Sequence, residues 1–219
     1  MVKHVNVKLK FDTPESGYIA KPFWPELSTV INVAKDVHPK LGEAKKQQAV
    51  LAALEKRGLT KDEWDTIQEL AKRPFYTIDG TRKGEIIIPQ RIFRSFLNHA
   101  SMKCPKAIPS IKERGMTFIA VTVESHGKHG GAHFLTGQTE KDAIEFTRLV
   151  KLEESNQRTP ATDLYIRDFE ASARIGIEEE VITSEDLKKL TEWGGYWIGI
   201  GSARPQGFGR FTVTQWEAA

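Results

Sequence analysis

Cysteine is almost missing from this chain: Cys104 is the one example in 219 residues. That excludes an intramolecular disulfide and a zinc site built on cysteines, and it fits a reducing compartment. Long apolar runs are missing too, and none approaches the roughly 20 residues needed to span a bilayer. The opening MVKHVNVKLKF alternates like a strand, unlike the charged-then-apolar pattern of a secretory leader. A soluble, cytoplasmic protein is expected. There is no internal repeat and no low-complexity tract. Hydrophobic residues make up 39% and charged residues 28%, which allows one core with much surface around it.

Acid is missing from a third place. Between Gly199 and Arg210 there is no Asp or Glu, although the surrounding stretch WIGIGSARPQGFGRFTV holds four glycines and two arginines. A dinucleotide fingerprint would need a third glycine where Arg204 stands, followed by a helix, and FGRFTV reads as a strand. A Walker loop would need Gly-Lys-Ser/Thr, which does not follow. Two readings remain. Gly199, Gly201, Gly207 and Gly209 can let the main chain approach a sugar–phosphate backbone, with successive N–H groups as an anion nest and Arg204 and Arg210 on phosphate oxygens. Alternatively they make a tight connection between strands that needs positive φ.

What is abundant is base, in one place. From Arg82 to Arg114 there are eight Lys/Arg against two Glu, whereas the rest of the chain carries 24 basic and 27 acidic residues. Segregation of this kind suits a polyanion-binding face better than an evenly solvated surface. The expected contacts are Arg91, Arg94, Lys103 and Lys106 from this stretch, with Lys8 and Lys10 on the polar side of the first strand.

Periodicity predicts that first strand from Val5 to Phe11, then a turn-rich loop through TPESGYIAKPFWPELS. Two polar helices follow, Leu41–Lys56 ended by Gly58 and a second opened by the Thr60/Glu63 capping pattern and running to Lys72. They are expected to form a helical insertion over residues 35–75 of a single domain, 1–219. Strands are predicted at Phe75–Ile78, at GEIII, at Thr117–Val123, at Glu145–Leu152 and, as one run, at Leu164–Ile177. A helix is predicted from Pro89 to His99 and another from Thr183 to Leu190, and two strands bracket the glycine loop. Without the insertion the order is strand, helix, strand, strand, helix, strand. That predicts an α+β fold with a ferredoxin-like or RRM-like core, whose open sheet face is a common seat for single-stranded RNA.

The C-terminal GGYWIGIGSARPQGFGRF resembles the glycine-rich ending of the CRISPR-associated RAMP superfamily, in particular its repeated backbone subunits. IIIPQRIFRSFLNHA is similar to their strand and first helix. The resemblance covers Glu85–Ala100 and Leu164–Val213; the Leu41–Lys72 helical pair has no counterpart in it, and no acidic residue matches the target-cleaving aspartate loop. It implies an RRM-like protein that grips a single-stranded guide or CRISPR RNA, with copies of itself or other CRISPR-associated subunits as partners. Two alternatives stand beside it: a metal-independent endoribonuclease that processes CRISPR RNA, and a protein-interaction module of a mobile element or phage.

Other chemistry finds little support in the residues. His126, His129 and His133 have helical spacing, but Gly127, Gly130 and Gly131 oppose a helix, so this stretch reads as a projecting His/Gly loop over Ser125–Leu135. No metal and no cofactor is expected. His99 can serve as a general base on a 2′-hydroxyl, yet no acid is placed to complete the pair. Binding without catalysis is therefore the expected role. Tyr18, Phe23 and Trp24 are candidates for base stacking; Trp193, Tyr196 and Trp197 read as core or subunit-contact residues.

Overall fold

The computed structural model describes residues 2–12, 17–18, 24–38, 40–71, 74–78, 84–104, 119–124, 131–151, 158–202, 204 and 207–219. The chain divides into two compact units, one of Met1–Ala20 with Phe75–Ala219 and the other of Lys21–Pro74.

The larger unit is built on an antiparallel sheet. Strand β1 (Val2–Phe11) lies between β9 (Thr212–Ala218) and β8 (Phe169–Glu178). The far edge of β8 takes β4 (Val121–Glu124) and then β5 (His133–Leu135), and β5 leads on to β3 (Ile86–Pro89) and β2 (Tyr76–Thr77). Register follows the alternation in the sequence: Val5, Val7, Leu9 and Phe11 of β1 face Ile175, Ala173, Ala171 and Phe169 of β8. All eight side chains are buried. A slip of one residue would turn this entire set to solvent, so the register is strongly fixed.

Two helices cover that apolar face. Helix α4 (Gln90–Lys103) buries Ile92, Phe93, Phe96 and Leu97, each removal from water contributing roughly 2 kcal/mol. Helix α5 (Ser184–Trp197) starts at Thr183, whose hydroxyl accepts from the Asp186 N–H. It carries Gly194 and Gly195 in its interior, which costs about 1 kcal/mol each in helix propensity. The gain is proximity. A Cβ on Gly194 would come within 2.9 Å of Phe96 and Ala100 of α4, and one on Gly195 within 2.7 Å of Phe211.

A separate hairpin, β6 (Ile144–Lys151) with β7 (Arg158–Tyr165), completes the larger unit. The smaller unit holds α1 (Trp24–Asp36), α2 (Glu43–Glu55) and α3 (Lys61–Ala71) around Val33, Ala53, Leu54 and Trp64.

Several expectations change here. The turn-rich stretch expected as loop contains the start of α1 at Trp24. The single strand expected over Leu164–Ile177 breaks into β7 and β8 at Asp168, which has φ 54°, a left-handed conformation that Asp tolerates better than most residues. Helix α5 runs to Trp197, past the expected end at Leu190, so its last turn stands where a strand was read before the glycine loop. The strand after the loop starts at Thr212, not at Phe208. The distal part of the His/Gly loop is β5, inside the sheet; 125–130 lie outside the described residues. Among the described residues no helix is long and apolar enough to cross a membrane.

Candidate nucleic-acid interface

The glycine loop links the last turn of α5 to β9, and its described residues are held by main-chain hydrogen bonds. Gly199, Gly201, Gly207 and Gly209 have φ of 74°, 86°, 93° and 77°. Residues with a Cβ rarely adopt these values. Gly199 N–H donates to the Gly194 carbonyl (2.9 Å), Ile200 N–H to Gly209 (2.8 Å), Gly207 N–H to Arg204 (3.0 Å) and Gly209 N–H to Gly17 (2.9 Å). These amides are committed inside the protein and do not form an anion nest. A Cβ at Gly209 would collide with the Ile200 carbonyl, and one at Gly199 would reach the Phe208 carbonyl at 2.8 Å. Here the glycines bring two chain segments together.

Aromatic rings hold the loop from two sides. Phe208 meets Phe146 and Tyr165 of the β6–β7 hairpin at ring-centroid distances of 4.9 and 5.7 Å. Phe211 meets Phe11 at 5.4 Å and Phe96 at 5.3 Å. Tyr18 is fully buried beside Phe11 and bridges Ile166 through paired main-chain hydrogen bonds. It therefore offers no face to a base. Phe23 lies outside the described residues, as does the side chain of Trp24.

Two arginines belong to the loop and a third, Arg91, opens α4. Arg204 is half-buried, and loss of water pushes its guanidinium below its ordinary value without making it neutral. Arg210 Nε is buried and has no hydrogen-bond partner. Arg91, exposed in the first turn of α4, stands over the Tyr76 ring at 4.7 Å. Its charge also acts on the Tyr18 phenol, whose pKa burial raises well above the usual range. The N-terminal turn of α4 contains no acidic residue to offset its positive dipole end.

The other expected contacts lie elsewhere. Arg94 donates through Nε to the Val121 carbonyl at 2.9 Å, fastening α4 to β4. Lys103 ends α4 twelve residues beyond Arg91, about 18 Å along the axis, where the helix dipole favours a cation. Lys106 lies outside the described residues. Lys8 and Lys10 are on the open face of the sheet, and Lys10 pairs with Asp12 at 3.3 Å. That face is mixed in charge: Glu124 lies 3.6 Å from Arg174 and 3.8 Å from His4, and Glu170 and Glu217 occupy neighbouring positions. Its positions on β1, β4, β8 and β9 carry no Phe, Tyr or Trp, and His4 is its one ring, so it lacks the multi-aromatic stacking platform of an RRM sheet.

Among the histidines, His99 Nδ1 is 2.7 Å from the Ser95 carbonyl, which can only accept, so Nδ1 carries the proton. His133 is buried in β5, and desolvation lowers its pKa. No group of three or more His, Cys, Asp or Glu among the described residues is arranged to hold a metal ion. Of the two places expected for Tyr196 and Trp197, core or subunit contact, the core is excluded. They are 60% and 61% exposed in the last turn of α5. The adjacent Gly194-Gly195 was the signal, because it takes the buried side of that turn.

No protein-family model matches the sequence, and no curated protein matches it. Among solved structures the chain resembles one in the cryo-EM structure of type III-B Cmr-beta bound to cognate target RNA, with a TM-score of 0.52 and 10% identity. The match covers 99% of this chain and 60% of that one, so this chain spans about three-fifths of its length. Cmr6 from Pyrococcus furiosus also aligns, at 12% identity and a TM-score of 0.35, over 97% of this chain and 98% of that one. At these identities the likeness to the Cmr-beta chain is one of fold: an antiparallel sheet with helices, found here with the glycine loop at one end.

Proposed function

We propose that this protein is an RNA-binding protein of the CRISPR-associated RAMP type, gripping the phosphate backbone of a single-stranded guide RNA. The observation that carries this reading is the loop itself: Arg204 and Arg210 lie in an acid-free segment whose Gly199, Gly207 and Gly209 amides are held by main-chain hydrogen bonds, and Arg91 adds an exposed cation in the first turn of α4. Rigid placement matters because a cation held ready loses little entropy when it meets a phosphate. The shared fold with a Cmr-beta chain supports it, since that assembly was solved with target RNA. So does the strand order β9-β1-β8-β4 with α4 and α5 on one face, which we read as a ferredoxin-like core. Other subunits, or further copies of this chain, are the natural partners of a protein that tracks a backbone without reading bases.

Phosphate contacts release counterions, so affinity for a single-stranded RNA falls steeply with salt, on the order of tenfold or more between low and physiological ionic strength. Replacing Arg204 and Arg210 together by Ala weakens binding and lowers the salt slope, roughly by one for each phosphate that is no longer gripped. Arg91→Ala does the same with little effect on folding. Arg94→Ala instead lowers the melting temperature, because it removes the hydrogen bond to Val121. Fluorescence anisotropy against salt, with circular dichroism for folding, separates these effects. A nuclease-treated protein with no RNA affinity at low salt refutes the reading.

A further inference from the structure

Tyr196 and Trp197 form an exposed aromatic pair at the C-terminal end of α5. Their rings contact each other edge to face, with centroids 4.8 Å apart and planes at 81°. Both are about 60% exposed, although large aromatics are ordinarily among the more buried residues. Their position follows from their neighbours. Gly194 packs on Phe96 and Gly195 on Phe211, so the next two side chains of the helix turn outward. The pair sits directly before the glycine loop. Phe211 N–H donates to the Gly195 carbonyl at 3.2 Å, which lays the Arg210–Phe211 segment along this last turn of α5. Arg210 has its Nε buried and unpartnered, and no acidic residue occurs between Trp193 and Trp216.

We infer that Tyr196 and Trp197 are a nucleobase-stacking site, where a base of the RNA rests on one ring while Arg204 and Arg210 hold its phosphates. This rests on the RNA-binding reading above and adds what the backbone contacts alone do not supply, a grip on the base. Exposed aromatics beside cations are the chemistry of single-stranded nucleic-acid grooves, and Glu192, the acid one turn before Tyr196 on α5, is engaged by Lys188 at 3.8 Å. Every base has a π face, so the site tolerates any sequence and favours bases that stack strongly. A protein partner would be served by the same apolar area, but it has no need of the two arginines carried by the loop that follows it.

The test uses the full chain with a 20-nucleotide oligoadenylate and an abasic ribose–phosphate strand of equal length. Wild-type protein is expected to bind oligoadenylate about tenfold more tightly than the abasic strand, the scale of one base stacked on an aromatic ring. The Tyr196→Ala/Trp197→Ala double variant loses that preference and keeps both its abasic affinity and its salt slope. RNA-induced quenching of tryptophan fluorescence is reduced in the folded Trp197→Phe protein, which retains a ring for stacking. A double variant that keeps the preference overturns the inference and leaves the RNA-binding reading intact. Loss of self-association with the preference unchanged does so as well, and assigns the pair to a protein contact. Wild-type protein that binds neither strand overturns both.

Discussion

Gly209 and Gly42 show how different the same residue type is at two positions. Gly209 has φ 77° and would drive a Cβ into the Ile200 carbonyl, whereas Gly42 is the N-cap of α2, with φ −65° and no atom within 4 Å of an added Cβ. Gly209→Ala is expected to cost on the order of 3 kcal/mol, from left-handed strain together with the steric conflict. Gly42→Ala should cost no more than about 1 kcal/mol, because Ala is a poorer N-cap than Gly but fits this φ without strain. Urea titration of the two variants checks this. Comparable stabilities would mean that the loop relaxes readily and does not hold Arg204 and Arg210 in place.

The helices differ in what keeps them formed. Helices α4 and α5 are held by the sheet, whereas α3 packs Trp64 among α1 and α2 and adds a capping box at its start, with Thr60 N–H donating to Glu63 Oε2 at 2.8 Å and Glu63 N–H to Thr60 Oγ1 at 3.2 Å. The Thr60 amide and hydroxyl hold the Glu63 carboxyl below its ordinary 4.5. In the same unit, hydrogen bonding from Arg57 and its charge hold Asp36 below 3.8, across a 2.7 Å ion pair. Both values are depressed on folding. Their stabilisation is therefore complete above the ordinary values and is lost as pH falls through the lower, folded ones. Helicity followed from pH 6 to pH 2 should decline below about pH 4.5, the region of an ordinary Glu. Glu63→Gln should blunt that decline, and an unchanged acid profile in this variant would count against the capping box as a support of α3.

For the whole molecule, binding without cutting is the expected behaviour. The loop segment from Gly199 to Arg210 has base and no acid, which suits a phosphate that is held. His99 has its Nδ1 proton engaged by Ser95 and sits in α4 with no acid assigned to act with it. Labelled single-stranded and hairpin RNA should remain intact with the protein, in EDTA and in magnesium. In the same samples, light scattering should show mass rising with RNA length, because head-to-tail copies along a strand make an open stack. Specific cleavage lost in His99→Ala would favour the processing endoribonuclease; a mass independent of RNA length would exclude stacking in copies.

The sequence by itself determined the elements whose pattern is local. Alternation in VNVKLKF placed β1 and its buried face, Thr60 with Glu63 placed the start of α3, and the apolar stripe of Ile92, Phe93, Phe96 and Leu97 placed α4. The glycine loop was legible as a place needing unusual backbone, and Arg204 and Arg210 as its charges. Tertiary structure decided what those glycines do, since the Gly209 N–H bonds to Gly17 at the other end of the chain and Ile200 N–H closes the loop on Gly209. It also decided that α5 continues through two glycines to Trp197. Helix propensity disfavours them, and only contact with Phe96 and Phe211 makes their lack of a side chain an advantage. The same contact turns Tyr196 and Trp197 outward, which period and propensity could not reveal. Which lysines and arginines share a surface was likewise beyond the sequence: Lys8, Arg91 and Lys103 are separated by sheet pairing and helix length, and neither is written in the charge of any one segment.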